Sequence, residues 1–473
     1  MFWVTRLTFE KSRDSRYNSP VNAKEDLSMK RERAFLKNVC NLAIPVALQS
    51  MFQSSFSIVD QIMIGQLGTV SVAGVGLAGK FASIYSVTVA AIGTVAGIML
   101  SQYIGQKNKK EVHRSFRLNL FFSLILAALF TFASIVFSKQ IMGFYSTDQS
   151  TIEAAAIYLV IYAGTFLPAA GTTILSTVFR CIEKAKYPLY ASIAAAVMNT
   201  GLNYILIFGK LGFQPMGIVG AAIATLVSQL ANFVVIFALY LKYKKQLDEG
   251  LEEQEIVKFN WGQYASILLP ILICEFVWSL GENVYAVIYG HLGTDACAAM
   301  TLTNPIQGLM IGALCGLSQA AGVIIGKKLG EKEYDDAYQS GKKLVAYGFI
   351  GSLILSCVIL LTKSLYVQIY QVEDVVKVLT QKILIAYAAI APFKVGNMIL
   401  GGGIIRSGGK TNYVMAIDMI GTWVFGVPLG LLSAFVFELP IYWVYFILSL
   451  EECVRFAISV VVFKKKGWMQ SLV

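Results

Sequence analysis

Ten charged residues lie inside long apolar stretches of this sequence, and their side chains are the ones best placed to do chemistry there. A charge within an apolar span is costly, so such residues usually face a cavity or an oppositely charged partner. The ten are Asp60, Lys80, Glu275, Glu282, Lys382, Lys394, Asp418, Glu451, Glu452 and Arg455.

Asp60 stands near the end of the first apolar stretch, in SSFSIVDQIMIG. A carboxylate in a poorly solvated cavity can take up a proton or bind Na⁺. Asn199 and Asn203 are four residues apart and share one face of a later helix, and buried amides need partners. We predict that the three form an ion-coupling site. The alternatives are a water-exposed Asp60 and an asparagine pair that serves only helix–helix contact.

Glu275 and Glu282 are seven residues apart, which puts them on one helical face with Trp278. We predict that this face binds substrate or the coupling ion, with Glu275 the deeper carboxylate. A structural pairing of Glu275 with Lys394 is the alternative. Lys394 and Asp418 occur in neighbouring spans and are candidates for the same site, although a salt bridge between them would explain both.

The remaining charges in the spans have simpler interpretations. Lys80 and Lys382 lie near span ends, where long basic side chains extend towards water. Glu451, Glu452 and Arg455 have the spacing of a local ion pair along one helix.

The composition is typical of an all-α polytopic membrane protein. Of the 473 residues, 56% are hydrophobic and 14% are charged, and the mean hydropathy is +0.64, whereas soluble domains carry about 25% charged residues. Many apolar stretches reach the ~20 residues that a spanning helix needs. We predict twelve spans, near 40–64, 73–104, 118–138, 152–178, 188–209, 216–241, 265–289, 297–326, 344–362, 378–405, 412–434 and 438–463.

Several classes of site are not indicated. The net charge of +11 lies in short connecting segments rather than on a soluble domain, so we expect no nucleic-acid partner. The seven cysteines include no CxxC pair, and the two histidines cannot form an HExxH motif. Gly401–Thr411 ends like a phosphate-binding loop, but Ile404 stands where that motif requires glycine. We therefore expect no enzyme and no cofactor beyond a coupling ion, Na⁺ or H⁺.

The basic residues predict the orientation in the membrane. All but four of the Lys and Arg residues outside the spans fall on one side, and the exceptions are Lys139, Lys210, Lys363 and Lys377. Positive charge favours the cytoplasmic side, so both termini are expected there.

The chain also contains an internal repeat. Pro45–Gly105 aligns without a gap on Pro270–Gly330, and Gly65-Gln-Leu-Gly-Thr69 falls on Gly290-His-Leu-Gly-Thr294. Repeats of six spans enter the membrane from the same side and form two lobes with the substrate path between them. The predicted boundaries are a cytoplasmic tail over 1–34, lobes over 35–241 and 264–463, a cytoplasmic linker over 242–263 and a tail over 464–473.

Together these stretches resemble the multidrug and toxic compound extrusion (MATE) family. The matching segments are Pro45…Asp60…Gly65-Gln-Leu-Gly68, Ser101-Gln-Tyr-Ile-Gly105, Arg180…Pro188, Asn199…Asn203-Tyr204, Gly217-Ile-Val-Gly-Ala-Ala222, Gly290-His-Leu-Gly293 and Arg406-Ser-Gly-Gly-Lys410. The resemblance implies two six-helix lobes in a V around a large cavity. It also implies export of organic, often cationic, compounds in exchange for Na⁺ or H⁺.

The resemblance maps the family's coupling aspartate onto Asp60 and its asparagines onto Asn199 and Asn203. One subgroup has Asp where Asn203 stands. Another has a Glu where Trp278 stands, which leaves Glu275 as its substitute. That subgroup's later acidic residue is replaced by Gly409, so Asp418 is proposed by proximity alone.

Two other classes of transporter are alternatives to this interpretation. A lipid-linked oligosaccharide flippase of the same superfamily should have basic residues in its cavity, whereas the deep charges here are mostly acidic. A major-facilitator-type transporter should carry Asp, Gly and Arg in the loop after span 2, which reads Gly105-Gln-Lys-Asn-Lys-Lys-Glu. We expect a monomer in the bacterial inner (plasma) membrane that binds small organic compounds, with Na⁺ at Asp60 or Glu275 if Na⁺ is the ion.

Overall fold

The computed structural model describes residues 20–254, 260–370 and 372–472, and this part of the chain is helical without a strand. Twelve passes follow one another. They are α1 Pro20–Gly65, α2 Thr69–Gly105, α3 Lys109–Val136, α4 Gln149–Cys181, α5 Lys186–Phe208, α6 Gly217–Leu247, α7 Trp261–His291, α8 Thr294–Gly330, α9 Tyr334–Gln368, α10 Asp374–Ile405, α11 Thr411–Val436, and α12 in two segments, Ile441–Ser449 and Glu451–Lys464.

Eleven of these helices are long and apolar enough to cross a membrane, and the twelfth pass is interrupted at Leu450. The predicted fold class, an all-α polytopic membrane protein with twelve passes, is therefore confirmed. The helices extend beyond the predicted apolar spans. α1 begins at Pro20, inside the segment predicted as a tail, and residues 1–19 of that tail and 255–259 of the predicted linker lie outside the described residues.

Short polar residues start several of the helices. The side chain of Asn108 accepts a hydrogen bond from the backbone N–H of Glu111 at the start of α3 (3.2 Å), and Asp148 accepts one from Thr151 at the start of α4 (3.0 Å). Such caps satisfy backbone donors that have no partner within the helix.

The passes form two lobes, α1–α6 and α7–α12. Each lobe has apolar clusters of its own, around Leu159 and Phe166 in the first and around Ile383 and Val444 in the second. The largest cluster contains residues of both lobes, including Leu100 and Leu329. The lobes are therefore joined by a shared core that lies at one end of the molecule, where α2 and α8 end.

Glycines permit the close approach of the lobes at this end. A Cβ at Gly105 would clash with the carbonyl oxygen of Lys327, and one at Gly330 would clash with the carbonyl oxygen of Gln102. Gly105 and Gly330 are equivalent positions of the internal repeat, so the two contacts are related by it. The Lys327 ammonium also pairs with the Glu183 carboxylate of the first lobe at 2.5 Å.

The C-terminal segment covers the same end. Trp468 is fully buried and donates its indole N–H to the carbonyl of Phe463 at 3.1 Å. The Leu472 backbone N–H donates to Gln102 of the first lobe at 2.8 Å, and the Leu472 carbonyl accepts from Gln263 of the second at 3.1 Å. The segment thus bridges the two lobes.

Candidate functional site

The structure brings Asp60, Asn199 and Asn203 together in the first lobe. The Asn203 amide donates to the Asp60 carboxylate and also approaches Asn199 Oδ1 at 3.3 Å. The Asn199 amide in turn reaches Thr225 Oγ1 of α6 at 3.4 Å. Asn203 is fully buried, and its Oδ1 has no hydrogen-bond partner among the described residues. Helices α1, α5 and α6 therefore build this cluster.

Two tyrosines of α4 that were not predicted as site residues lie beside the cluster. Tyr158 and Tyr162 are within electrostatic reach of the Asp60 carboxylate, and their rings stack with centroids 5.7 Å apart. Their spacing of four residues places them on one face of α4. No Lys or Arg among the described residues forms an ion pair with Asp60, so its only charge-stabilising contacts come from neutral groups.

A cavity of about 740 Å³ lies between the two lobes. Its walls come from α2 and α4 of the first lobe and from α7, α8, α10, α11 and α12 of the second. All five residues predicted for the second-lobe site line it: Glu275, Trp278, Glu282, Lys394 and Asp418. Asp60, Asn199 and Asn203 are not among the lining residues, so the two predicted sites are separate.

The charge of this cavity differs from the expectation. Four carboxylates and four basic groups line it, namely Glu275, Glu282, Asp418 and Glu452 with Arg180, Lys394, Arg406 and Arg455. The expectation of mostly acidic deep charges was therefore wrong. Arg180 and Arg406 lie just beyond the predicted apolar spans, and they were counted with the loops although both line the cavity.

The salt bridges considered as alternatives to these site roles also need correction. Glu275 Oε1 accepts from both terminal nitrogens of Arg406, at 3.2 and 3.3 Å, and not from Lys394. Lys394 lies 4.0 Å from Glu452, and Asp418 lies 3.7 Å from Arg455. The alternative Glu275–Lys394 and Lys394–Asp418 pairs are thus wrong, because Arg406 at the end of α10 is the cation that binds Glu275.

The pairing of charges along α12 was predicted correctly. Arg455 and Glu451 lie 3.4 Å apart at i,i+4, and the Tyr285 hydroxyl donates to Glu451 at 2.5 Å. The Asn397 amide donates to Glu452 at 2.8 Å. These bonds hold α7, α10 and α12 together beneath the cavity wall.

The helix α10 is irregular where it lines the cavity. Met398–Ile405 forms π-helical turns that include three successive glycines. Such turns occur frequently at functional sites because they change which side chains a helix presents. Here they precede Arg406, whose guanidinium binds Glu275. The three glycines are visible in the sequence, but the contact between Arg406 and Glu275 was not predictable from it.

Comparison with known proteins identifies the fold. The sequence model of the MatE family matches residues 45–205 and 270–432, which are two copies within one chain and cover more than half of it. The first copy begins at Pro45 and the second at Pro270, the same pair of positions that begins the internal repeat.

Full-length relatives show the same likeness. The chain is 23% identical to the uncharacterized transporter YisQ of Bacillus subtilis over 440 residues, which is 91% of this chain and 94% of that protein. It is 24% identical over 418 residues to a probable multidrug resistance protein NorM of Thermotoga maritima, covering 85% and 86%. A crystal structure of a mutant of the Vibrio cholerae MATE transporter VcmN superposes with a TM-score of 0.83 at 17% identity, covering 92% and 99%.

The family model matches both halves of this chain. The fold agrees with this match, since it has twelve passes, a repeated six-helix lobe and a cavity between the lobes. This chain is a multi-pass membrane transporter that belongs to the MATE family.

Proposed function

We propose that the protein exports small organic compounds, organic cations among them, in exchange for Na⁺ or H⁺. The observation that carries this proposal is the Asp60 carboxylate, held inside the first lobe by Asn203 with no cationic partner among the described residues. A charge in such a position is costly unless a cation or proton accompanies it. An ion from the gradient would supply that partner.

Asp60 suits the coupling ion better than Glu275 does. Glu275 already pairs with Arg406, whereas the one side-chain contact of Asp60 among the described residues is the amide hydrogen bond from Asn203. Hard cations prefer oxygen ligands. The Asp60 carboxylate and the Oδ1 atom of Asn203, which has no hydrogen-bond partner among the described residues, both belong to this cluster. The proposed site for Na⁺ or H⁺ is therefore Asp60 with Asn199 and Asn203.

The cavity supports small organic compounds as the cargo. Its volume of about 740 Å³ lies within the ~300–1,000 Å³ of drug-sized ligand pockets. Trp278 and Glu282 are exposed on its wall, and Glu282 forms no ion pair with another of the described residues. An aromatic face adds about 0.5–2 kcal/mol of attraction for a cation, and a carboxylate supplies the countercharge.

The exchange would proceed by alternating access. The lobes now meet at the end that carries the C-terminus, and we propose that this end is cytoplasmic, so that the present state is closed to the cytoplasm. We further propose a monomer in the bacterial inner membrane. Dye efflux from expressing cells, with the Na⁺ and H⁺ gradients dissipated separately, tests the function. Loss of efflux when one of the two gradients is dissipated supports the proposed function. Efflux that continues whichever of the two gradients is dissipated overturns it.

We expect single cysteines to report the proposed orientation. In a cysteine-free background, Ser146→Cys and Thr294→Cys should be labelled from outside intact cells, whereas Lys110→Cys should be labelled only after permeabilisation, because basic segments are retained in the cytoplasm. Lys110 is exposed, whereas the neighbouring Asn108 is buried and would escape labelling on either side. External labelling at Lys110 would reverse the assignment.

We expect Gln102→Ala to weaken the closed end. Its side chain donates to the carbonyls of Ser407 and Gln470, at 2.6 and 3.4 Å, and accepts from Leu472 at 2.8 Å. Each bond contributes about 0.5–1.5 kcal/mol, so the loss of three bonds should cost the closed state about 1.5–4.5 kcal/mol relative to the open one. A cysteine at the buried Ser407 should then be labelled at least about tenfold faster in the purified protein.

Gln106→Ala is the matched control, because that side chain donates only one bond from this face, to Ser471 at 3.3 Å. Its effect on labelling should be clearly smaller. Equal labelling rates in the Gln102 variant and the parent protein would show that these bonds do not hold the lobes closed.

A further inference from the structure

We propose that Arg180 binds a carboxylate group of the transported compound, so that the preferred cargo carries an anionic group besides any cationic one. This inference rests on the proposed export function and adds a feature of the substrate to it. It follows from the surroundings of Arg180 and from a comparison of the two halves of the chain.

Arg180 lies at the end of α4, and it lines the cavity from the first lobe. Its neighbours are neutral. A terminal guanidinium nitrogen donates to Thr177 Oγ1 at 3.0 Å, and the thiols of Cys181 and Cys315 lie within electrostatic reach. No carboxylate of the described residues lies within 4.0 Å of it. The guanidinium is thus held by one hydroxyl and no countercharge.

The other basic residues of the cavity are compensated. Lys394 lies beside Glu452, Arg406 beside Glu275, and Arg455 beside Asp418 and Glu451. Among the basic groups that line the cavity in the described part of the chain, Arg180 alone has no acidic partner.

The internal repeat shows how this difference arises. Arg180-Cys-Ile-Glu-Lys-Ala-Lys-Tyr187 corresponds to Arg406-Ser-Gly-Gly-Lys-Thr-Asn-Tyr413, with Arg, Lys and Tyr at the same spacing after equivalent helices. In the second half, Arg406 binds Glu275. The equivalent of Glu275 in the first half is Ser50, whose hydroxyl accepts a bond from Cys315 at 3.1 Å. The first half therefore keeps the cation of the pair and lacks its anion.

A half-buried guanidinium without an acidic partner is costly, and an anionic group of a cargo molecule is one source of the missing countercharge. The planar guanidinium matches a carboxylate through two parallel N–H···O bonds, which a lysine ammonium cannot provide. On the second lobe, Glu282 lines the same cavity without an ion-pair partner among the described residues. A compound with separate anionic and cationic groups would contact Arg180 on the first lobe and Glu282 on the second.

Two dyes that differ by one ester test the proposal. Rhodamine 19 carries a free carboxyl group, and rhodamine 6G is its ethyl ester. We expect the purified wild-type protein to bind rhodamine 19 at least tenfold more tightly by fluorescence anisotropy. In Arg180→Gln this preference should fall to within about twofold, and Arg180→Lys should retain part of it. Arg117→Gln, which removes an exposed basic residue of the same lobe outside the cavity, should behave as wild type.

Four results would overturn the proposal. The first two are that the wild-type protein binds the two dyes equally or binds neither. The third is that Arg180→Gln weakens the binding of both dyes alike and lowers the melting temperature, which would indicate a structural role. Short-chain phosphatidic acid as a competitor distinguishes a lipid phosphate: displacement of rhodamine 19 by this lipid but not by benzoate would exclude a carboxylate site. Binding requires no ion gradient, so a failure of ion-driven transport with the dye preference intact would contradict only the proposed function.

Discussion

Replacing Asp60 by Asn is expected to abolish ion-driven export while the protein remains folded. Asparagine has nearly the same shape as aspartate, and its amide oxygen can still accept the hydrogen bond from Asn203. It carries no negative charge at any pH, so it cannot take up a proton or balance Na⁺. We expect the efflux rate in membrane vesicles to fall at least ~10-fold, since the coupling step itself is lost.

The matched control is Glu153→Gln, which removes an exposed carboxylate of the same lobe that accepts one surface hydrogen bond from Gln149. That variant should export at the wild-type rate. Export by Asp60→Asn at the wild-type rate, in protein that is expressed and monodisperse, would remove Asp60 from the coupling mechanism.

Replacing Arg406 by Met is expected to destabilise the second lobe strongly. The change leaves Glu275 without its cation, and the carboxylate side chain is only 31% exposed. Removing one partner of a buried ion pair costs about 3–5 kcal/mol, and the partial exposure of Glu275 to the cavity should reduce this to about 1–3 kcal/mol. The melting temperature in detergent should fall accordingly.

The second partner can be removed as well. Because Glu275→Gln/Arg406→Met leaves no unpaired charge from this pair, the double variant should melt at a higher temperature than Arg406→Met alone. The double variant Glu275→Gln/Lys394→Met should melt no higher than Glu275→Gln alone, since Lys394 lies beside Glu452 instead. If the Lys394→Met change raised the melting temperature of Glu275→Gln, and Glu275→Gln did not raise that of Arg406→Met, the Glu275–Arg406 pairing would be wrong.

The Glu275–Arg406 pair also changes what Glu275 can do in transport. Its charge is neutralised within the protein, so it is a poor single countercharge for an organic cation. Glu282, which has no such partner among the described residues and lines the same cavity, is the better candidate on α7. Loss of cation transport in Glu282→Gln with little change in stability would support this assignment.

The sequence was sufficient for the fold class and for part of the site. The apolar stretches predicted twelve passes, and the alignment of Pro45 with Pro270 predicted two equivalent lobes. The i,i+4 spacing of Asn199 and Asn203 placed them on one helical face, and the structure shows that this face meets Asp60. These features depend on local periodicity, which a single sequence displays directly.

Features that depend on packing between distant helices could not be predicted in the same way. Arg406 follows an apolar stretch and was counted with the loop, but its side chain, directly after the π-helical turns, reaches Glu275. Arg180 was likewise counted with a loop, although it lines the cavity. Hydropathy places the end of the apolar stretch, whereas the helix α4 continues beyond residue 178 to Cys181 and includes Arg180. The alternative partners considered for Lys394, namely Glu275 and Asp418, were wrong because spacing along the chain does not show which passes are neighbours.

We propose that an inward cation gradient drives export through Asp60. Transport in proteoliposomes with imposed gradients tests this most directly. Purified wild-type protein and Asp60→Asn are reconstituted, and movement of a fluorescent organic cation is followed with no gradient, with a Na⁺ gradient and with a pH gradient. We expect concentrative transport by the wild type with at least one of the two gradients and none by Asp60→Asn. Concentrative transport by Asp60→Asn, or wild-type transport that only equilibrates the dye under every gradient, would contradict it.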